Sequence, residues 1–83
     1  MQVHIKYFAS IRETLGRGSE TWDTSAVTLG ELRLALTQRD ALENHPLAPG
    51  RAVRIALNQV MCEEIVELTE GAEVAFFPPV TGG

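Results

Sequence analysis

The chain is predicted to fold as an α+β domain, a single mixed β-sheet with one long helix packed across one of its faces. Three observations carry this. Large apolar residues recur at every second position over residues 2–8 (Val3, Ile5, Tyr7), 53–57 (Val53, Ile55, Leu57) and 74–77 (Val74, Phe76), which is the period of strands. Behind Thr28, Leu29, Leu32, Ala35 and Leu36 recur instead at the spacing of a helix face. The segments come in the order strand, short helix, strand, long helix, then several strands. With 83 residues and 9.1 kDa, there is room for one hydrophobic core. The expectation is one domain over residues 1–77 and a flexible tail over 78–83.

Each element has a local reason. In residues 2–8, Val3, Ile5 and Tyr7 take one face and His4, Lys6 and Phe8 the other, so Phe8 is out of phase with the core. Ser10 and Glu13 have capping-box spacing, Ile11 and Leu15 share a helical face, and Gly16 stands where a helix ends, so a short helix is expected here. Ser19 to Thr24 reads as a strand beside the first, after the turn at Gly16-Arg17-Gly18. Thr28 and Glu31 make a second capping box, opening a main helix that should end near Arg39 or Asp40. Asn44 to Gly50, with Pro46 and Pro49, cannot continue it and should be a surface connection. Val53, Ile55 and Leu57 alternate as a strand, Asn58-Gln59 make a turn, and Val60-Met61-Cys62 form a short returning strand. Glu70-Gly71 is another turn. In the last strand Val74 and Phe76 face inward and Ala75 and Phe77 outward, until Pro78-Pro79 remove two backbone donors and stop the pairing.

Composition excludes several function classes. Seven basic against eleven acidic residues give a net charge of −4, with no basic cluster suited to a phosphate backbone, so nucleic acid is not an expected partner. No apolar run approaches the ~20 residues that span a bilayer, and the N-terminal stretch lacks signal-peptide order, so a cytoplasmic protein is expected. The single cysteine, Cys62, fits a reducing compartment. With His4 and His45 it has no metal-ligand spacing, so no metal and no bound cofactor are expected. Cys62 reads as a half-buried apolar residue, Trp22 as packed against helix or sheet edge, and both histidines as surface residues. There is no nucleotide-binding loop and no acid, base or nucleophile cluster, so any catalytic side chains should come from partners.

The most informative segment is the end, Phe76-Phe77-Pro78-Pro79-Val80-Thr81-Gly82-Gly83. Glycine has no Cβ and accepts backbone angles closed to other residues, so a Gly82-Gly83 carboxylate can be threaded into a narrow site. Pro78 and Pro79 favour an extended path of about 3.1 Å per residue, which would carry the six residues from Pro78 roughly 18 Å from the sheet. Phe8 and Phe77, joined by Met61, should form an exposed apolar patch beside the tail, and large exposed aromatics on a small chain are usual interface anchors.

A first strand lying parallel to the last one inside so short a sheet is the arrangement of ubiquitin-like β-grasp domains. Within it, three blocks resemble the family of small, sulfur-carrying subunits of molybdopterin synthase. They are Tyr7-Phe8-Ala9-Ser10-Ile11-Arg12-Glu13 with Gly16, Leu57-Asn58-Gln59, and Gly71 to Gly83. The run Glu73-Val74-Ala75-Phe76-Phe77-Pro78-Pro79-Val80-Thr81-Gly82-Gly83 is the specific part.

The resemblance implies a cycle. A ubiquitin-activating-enzyme-like adenylyltransferase would use ATP to adenylate Gly83. A sulfur donor protein would then displace AMP, leaving a thiocarboxylate, the 1-thioglycine form of Gly83. Docked in the large subunit of molybdopterin synthase, with a heterotetramer implied, the tail would pass sulfur to cyclic pyranopterin monophosphate in molybdenum cofactor biosynthesis. The chain would thus be the sulfur-carrying subunit of a sulfurtransferase whose catalytic side chains lie on the large subunit. Phe8, Met61 and Phe77 would dock both partners with Arg12 at the rim, and Val80 and Thr81 would be gripped in the channel. The alternatives are a ubiquitin-like modifier joined to lysines through Gly83, a carrier for another pathway such as thiamine synthesis, and an interaction domain whose tail has no role.

Overall fold

The computed structural model describes residues 1–79. Strand β1 (Gln2–Tyr7) leads into helix α1 (Ala9–Leu15), strand β2 (Ser19–Asp23) and helix α2 (Leu29–Asp40). Strands β3 (Arg54–Leu57), β4 (Val60–Cys62) and β5 (Glu73–Phe77) follow. They form one sheet in the order β2-β1-β5-β3-β4. Only β1 and β5 run parallel; the other neighbours are antiparallel. The strand made last therefore lies in the middle of the sheet, the β-grasp arrangement anticipated from the sequence.

Strand period decides which side is core. Val3, Ile5 and Tyr7 of β1, Val74 and Phe76 of β5 and Ile55 of β3 are buried against Leu29, Leu32 and Leu36 of α2. Each fully buried side chain of this size stabilises the fold by about 1.5–3 kcal/mol relative to exposure. The Tyr7 and Phe76 rings stack with centroids 6.2 Å apart. Thr28 caps α2 and is bound to Glu31 as their spacing predicts, but side chain to side chain and not through the Thr28 N–H: Thr28 Oγ1 accepts from the Glu31 N–H and donates to Glu31 Oε2, both at 3.2 Å. Asn58 and Gln59, with φ of 50° and 71°, make the tight β3–β4 turn. No helix among the described residues is long and apolar enough to cross a membrane.

Two local expectations are corrected. Ser10 does not cap α1: the N-cap is Phe8, which has no side-chain cap bond, and Ser10 already lies inside the helix. Ile11 must reach the core four residues after Tyr7, so the chain turns at once, with Ala9 at φ 50°. His45 is not a surface residue but 2% exposed, drawn in because Leu47 beside it fills the core. The connection over residues 44–51 is held by Arg33 of α2, which donates to the carbonyls of Leu47 (2.7 Å), Ala48 (3.0 Å) and Arg51 (2.7 Å). Three of its backbone acceptors are thereby satisfied without a strand or helix.

Candidate functional site

Among the described residues, the face of the sheet away from α2 carries no helix. Its residues follow from register: His4 and Lys6 of β1 stand beside Glu73 and Ala75 of β5, Ala75 stands beside Ala56 of β3, and Ala56 beside Met61 of β4. Cross-strand partners share a face, so this row is one continuous surface. At its centre are two methyl groups, Ala56 and Ala75, buried at 5% and 8% exposure between larger neighbours. The surface is therefore shallow at the middle and taller at the rim.

At the end of the sheet where β5 stops, Phe8 and Phe77 meet edge to face with centroids 5.6 Å apart. Phe8 is 43% exposed and Phe77 half-buried. Their contact is a product of the parallel β1–β5 pairing, which runs Tyr7 beside Phe76 and has the Phe8 N–H donate to the Phe76 carbonyl. Met61, 50% exposed, lies on the same face but across β3 from β5. Arg12 is exposed on α1, its side chain against Gly18, where an added Cβ would come within 3.2 Å of its Nε. Pro78 and Pro79 follow β5 without strand pairing and are half-buried. Val80, Thr81, Gly82 and Gly83 lie outside the described residues. Thus Phe8 and Phe77 touch, Arg12 flanks them, and Met61 stands apart on the same surface.

Nothing in the described residues gathers a catalytic cluster on this face. No group of three or more His, Cys, Asp or Glu side chains is placed to hold a metal ion among them. A broad open depression beside β4 is lined by Val53, Arg54, Met61, Cys62, Glu63 and Ile65; it contains a thiol and carboxylates but no histidine. The half-buried Cys62 has no base beside it there to make it a nucleophile.

The titratable groups with perturbed chemistry lie at the other side of the sheet, and sequence reasoning missed them. Register places Glu20 beside Ile5 and Trp22 beside Val3, so an acidic residue of β2 points toward α2. There Arg39 grips it with two bonds of 2.8 and 2.9 Å, Arg17 donates at 2.8 Å, and the Tyr7 hydroxyl donates to the same carboxylate. Arg17 and Arg39 also reach Asp40, which accepts from His45 at 2.8 Å. The Leu47 N–H donates to His45 Nδ1, so the ring proton sits on Nε2, facing Asp40. Burial raises the Glu20 pKa, but the bonds from Arg39, Tyr7 and Arg17 outweigh it and hold the carboxyl at about 2. Asp40 likewise is raised by burial and lowered further by His45, Arg17 and Arg39, to about 2. Burial, then the Glu20 carboxylate, pushes the Tyr7 phenol up and keeps it protonated. Every charge in this network is paired, so it ties β2 to the end of α2 and offers no free group to a ligand. The signal that could have found it is Glu20, an acidic residue in phase with Trp22.

Comparison with known proteins bears on the open face and the tail. The ThiS family model matches residues 5–83. The chain is 33% identical over 81 residues to the molybdopterin synthase sulfur carrier subunit of Escherichia coli, covering 98% of this chain and 99% of that one. It superposes on the small archaeal modifier protein 1 of Haloferax volcanii with a TM-score of 0.76 at 24% identity, each chain covered in full, a likeness of fold. It superposes with a TM-score of 0.67, at 26% identity and full coverage of both chains, on a chain in the complex of subunits 1 and 2 of the molybdopterin-converting factor from Helicobacter pylori.

Proposed function

The chain belongs to the ThiS family, and we propose that it is a sulfur carrier that works by presenting a thiocarboxylate on Gly83 to molybdopterin synthase. The observation that supports this most is where the central strand ends. β5 stops at Phe77, in the exposed Phe8–Phe77 contact, and Pro78 and Pro79 follow it without strand pairing, so a partner that covers the aromatic pair stands where the chain continues toward Gly83. The Escherichia coli relative bears the name of the same carrier subunit, and the Helicobacter pylori complex pairs a similar chain with a second subunit.

In this reading a resting carboxylate is a poor electrophile, so an adenylyltransferase first converts Gly83 to an acyl adenylate at the expense of ATP. The outer sulfur of a donor persulfide attacks the acyl carbon and displaces AMP, giving an acyl disulfide; a second thiol then cleaves its S–S bond, forming a disulfide with the donor sulfur and releasing the thiocarboxylate. The resulting thiocarboxylate is a soft anionic nucleophile, and Gly82 and Gly83 leave it unshielded. Phe8, Met61, Phe77 and Arg12 dock the large subunit, Pro78 and Pro79 set the direction of the tail, and Val80 and Thr81 lie in its channel. Two deliveries to cyclic pyranopterin monophosphate build the dithiolene. The aromatic anchors restrict how the partner sits, which lowers the entropy lost when the tail is threaded.

The test is reconstitution. The chain with a C-terminal thiocarboxylate, the large subunit and the pterin precursor should yield molybdopterin, and the same mixture with the carboxylate form should not. Mass spectrometry of the chain purified from its own cells should show one oxygen exchanged for sulfur. Branched conjugates to lysines of other proteins, with no sulfur exchange, would instead identify a protein modifier.

A further inference from the structure

The distribution of cations on this surface is uneven in a way the carrier reading does not require. Of seven basic residues, four make ion pairs. Lys6 pairs with Glu73, Arg33 with Glu64, and Arg17 and Arg39 with Glu20 and Asp40. Among the described residues, Arg12, Arg51 and Arg54 make none. Topology brings these three to one end. Arg54 stands opposite Phe77 in the β3–β5 register and so shares its face. Arg51 lies three residues earlier, exposed on the approach to β3. Arg12 follows Phe8 on α1 and reaches Gly18 at the head of β2. Unpaired cations thus stand on both sides of the Phe8–Phe77 contact, at the point where β5 gives way to the tail. The carboxylates Asp23, Glu70 and Glu73 gather at the opposite end, beside Gln2 and His4.

We propose that Arg12 and Arg54, backed by Arg51, form a cationic bracket around the aromatic pair, and that it selects a partner protein whose apolar socket is rimmed by Asp or Glu carboxylates. This rests on the carrier reading. Guanidinium groups match carboxylates through two parallel N–H bonds, and among the described residues these three form no ion pair, Arg54 lining the depression beside β4 with Glu63 and Glu64 without pairing to either. They flank an apolar contact and do not converge on a point, which suits a rim of separate charges and not a single small anion. A nucleic acid is disfavoured because the chain carries a net charge of −4 with its acidic end on the same sheet. Positive charge beside the aromatic pair attracts an acidic rim during approach.

The experiment is binding of the chain to the large subunit of molybdopterin synthase from the same organism, comparing the unaltered protein, R12E, R54E and the double variant. Circular dichroism confirms the fold of each. Kd is read at about 50 mM and about 300 mM NaCl, where Debye lengths are roughly 14 and 6 Å. We expect each reversal to weaken binding about tenfold at low salt, mostly through slower association, and the difference to shrink at high salt. Variants that bind within about twofold of the unaltered chain at low salt would overturn the bracket while leaving the carrier reading intact. No binding by the unaltered chain would overturn both. Retention of the unaltered chain on heparin at physiological salt, lost in the double variant, would overturn it in favour of a polyanion.

Discussion

The Phe8 ring abuts Phe77 edge-on, its plane inclined by 61° to that of its neighbour, on a face of the sheet that no helix among the described residues covers. Such a contact contributes about 0.5–1.5 kcal/mol beyond the area it buries. A double-mutant cycle of Phe8→Ala and Phe77→Ala, read by urea unfolding, should return a coupling in that range. Phe8→Ala alone should cost the fold about 1 kcal/mol, because 43% of the residue is already in water.

Phe76, one residue along, is the internal control. It is fully buried and stacked on Tyr7, so Phe76→Ala should cost about 3–5 kcal/mol. Equal losses for Phe8→Ala and Phe76→Ala would show that the outer pair belongs to the core and is no docking face.

Glu20 holds Tyr7, Arg17 and Arg39 together. Glu20→Ala would leave two guanidinium groups sharing only Asp40, and a buried phenol without its acceptor; the expected loss is about 2–3 kcal/mol. Glu20→Gln keeps the shape and one acceptor and should lose about half as much. Chemical denaturation of both variants checks the order.

The same network sets the acid limit. Glu20 falls from an ordinary 4.5 to about 2 and Asp40 from 3.8 to about 2. Since both values are lower in the folded state, the stabilisation is complete above the unfolded values and drains away as pH drops from about 4.5 to about 2. Melting temperature followed over that window should fall steeply, and less steeply in Glu20→Gln. A flat profile would show that these carboxyls are not held by their arginines.

Ala41 closes α2 in the left-handed region at φ 52°, with its N–H donating to the Thr37 carbonyl. A Cβ is unfavourable there and glycine is the usual occupant. Ala41→Gly should stabilise the domain by about 0.5–1 kcal/mol after the added freedom of the unfolded chain is counted, raising the melting temperature by a few degrees. A lower melting temperature would contradict the strain at this cap.

Features that depend on neighbours in the chain are legible before folding is known. The alternation of Val3, Ile5 and Tyr7, the Thr28–Glu31 cap and the Asn58-Gln59 turn are all local, and all form. Phe8 and Phe77 could be placed together because two strand phases and one parallel pairing are enough to do so. The Tyr7, Arg17, Glu20, Arg39, Asp40 and His45 network could not, since it joins five separate segments through tertiary contacts. Ser10 misled for a related reason: its spacing to Glu13 is right, yet the demand that Ile11 reach the core moves the turn to Phe8. Arg54 carries no local signal at all; only its register with Phe77 gives it a place.

The central position of β5 has a mechanical consequence. The strand is hydrogen-bonded to β1 on one side and β3 on the other. Tension applied beyond Phe77 along the strand loads both ladders in shear, so their bonds must fail together and cannot be peeled singly. A partner hauling on the last residues would therefore pull along the direction in which this domain resists longest. The load ends at an anchored strand, so a pull on the chain beyond Phe77 would be borne by the whole sheet before any one element came loose.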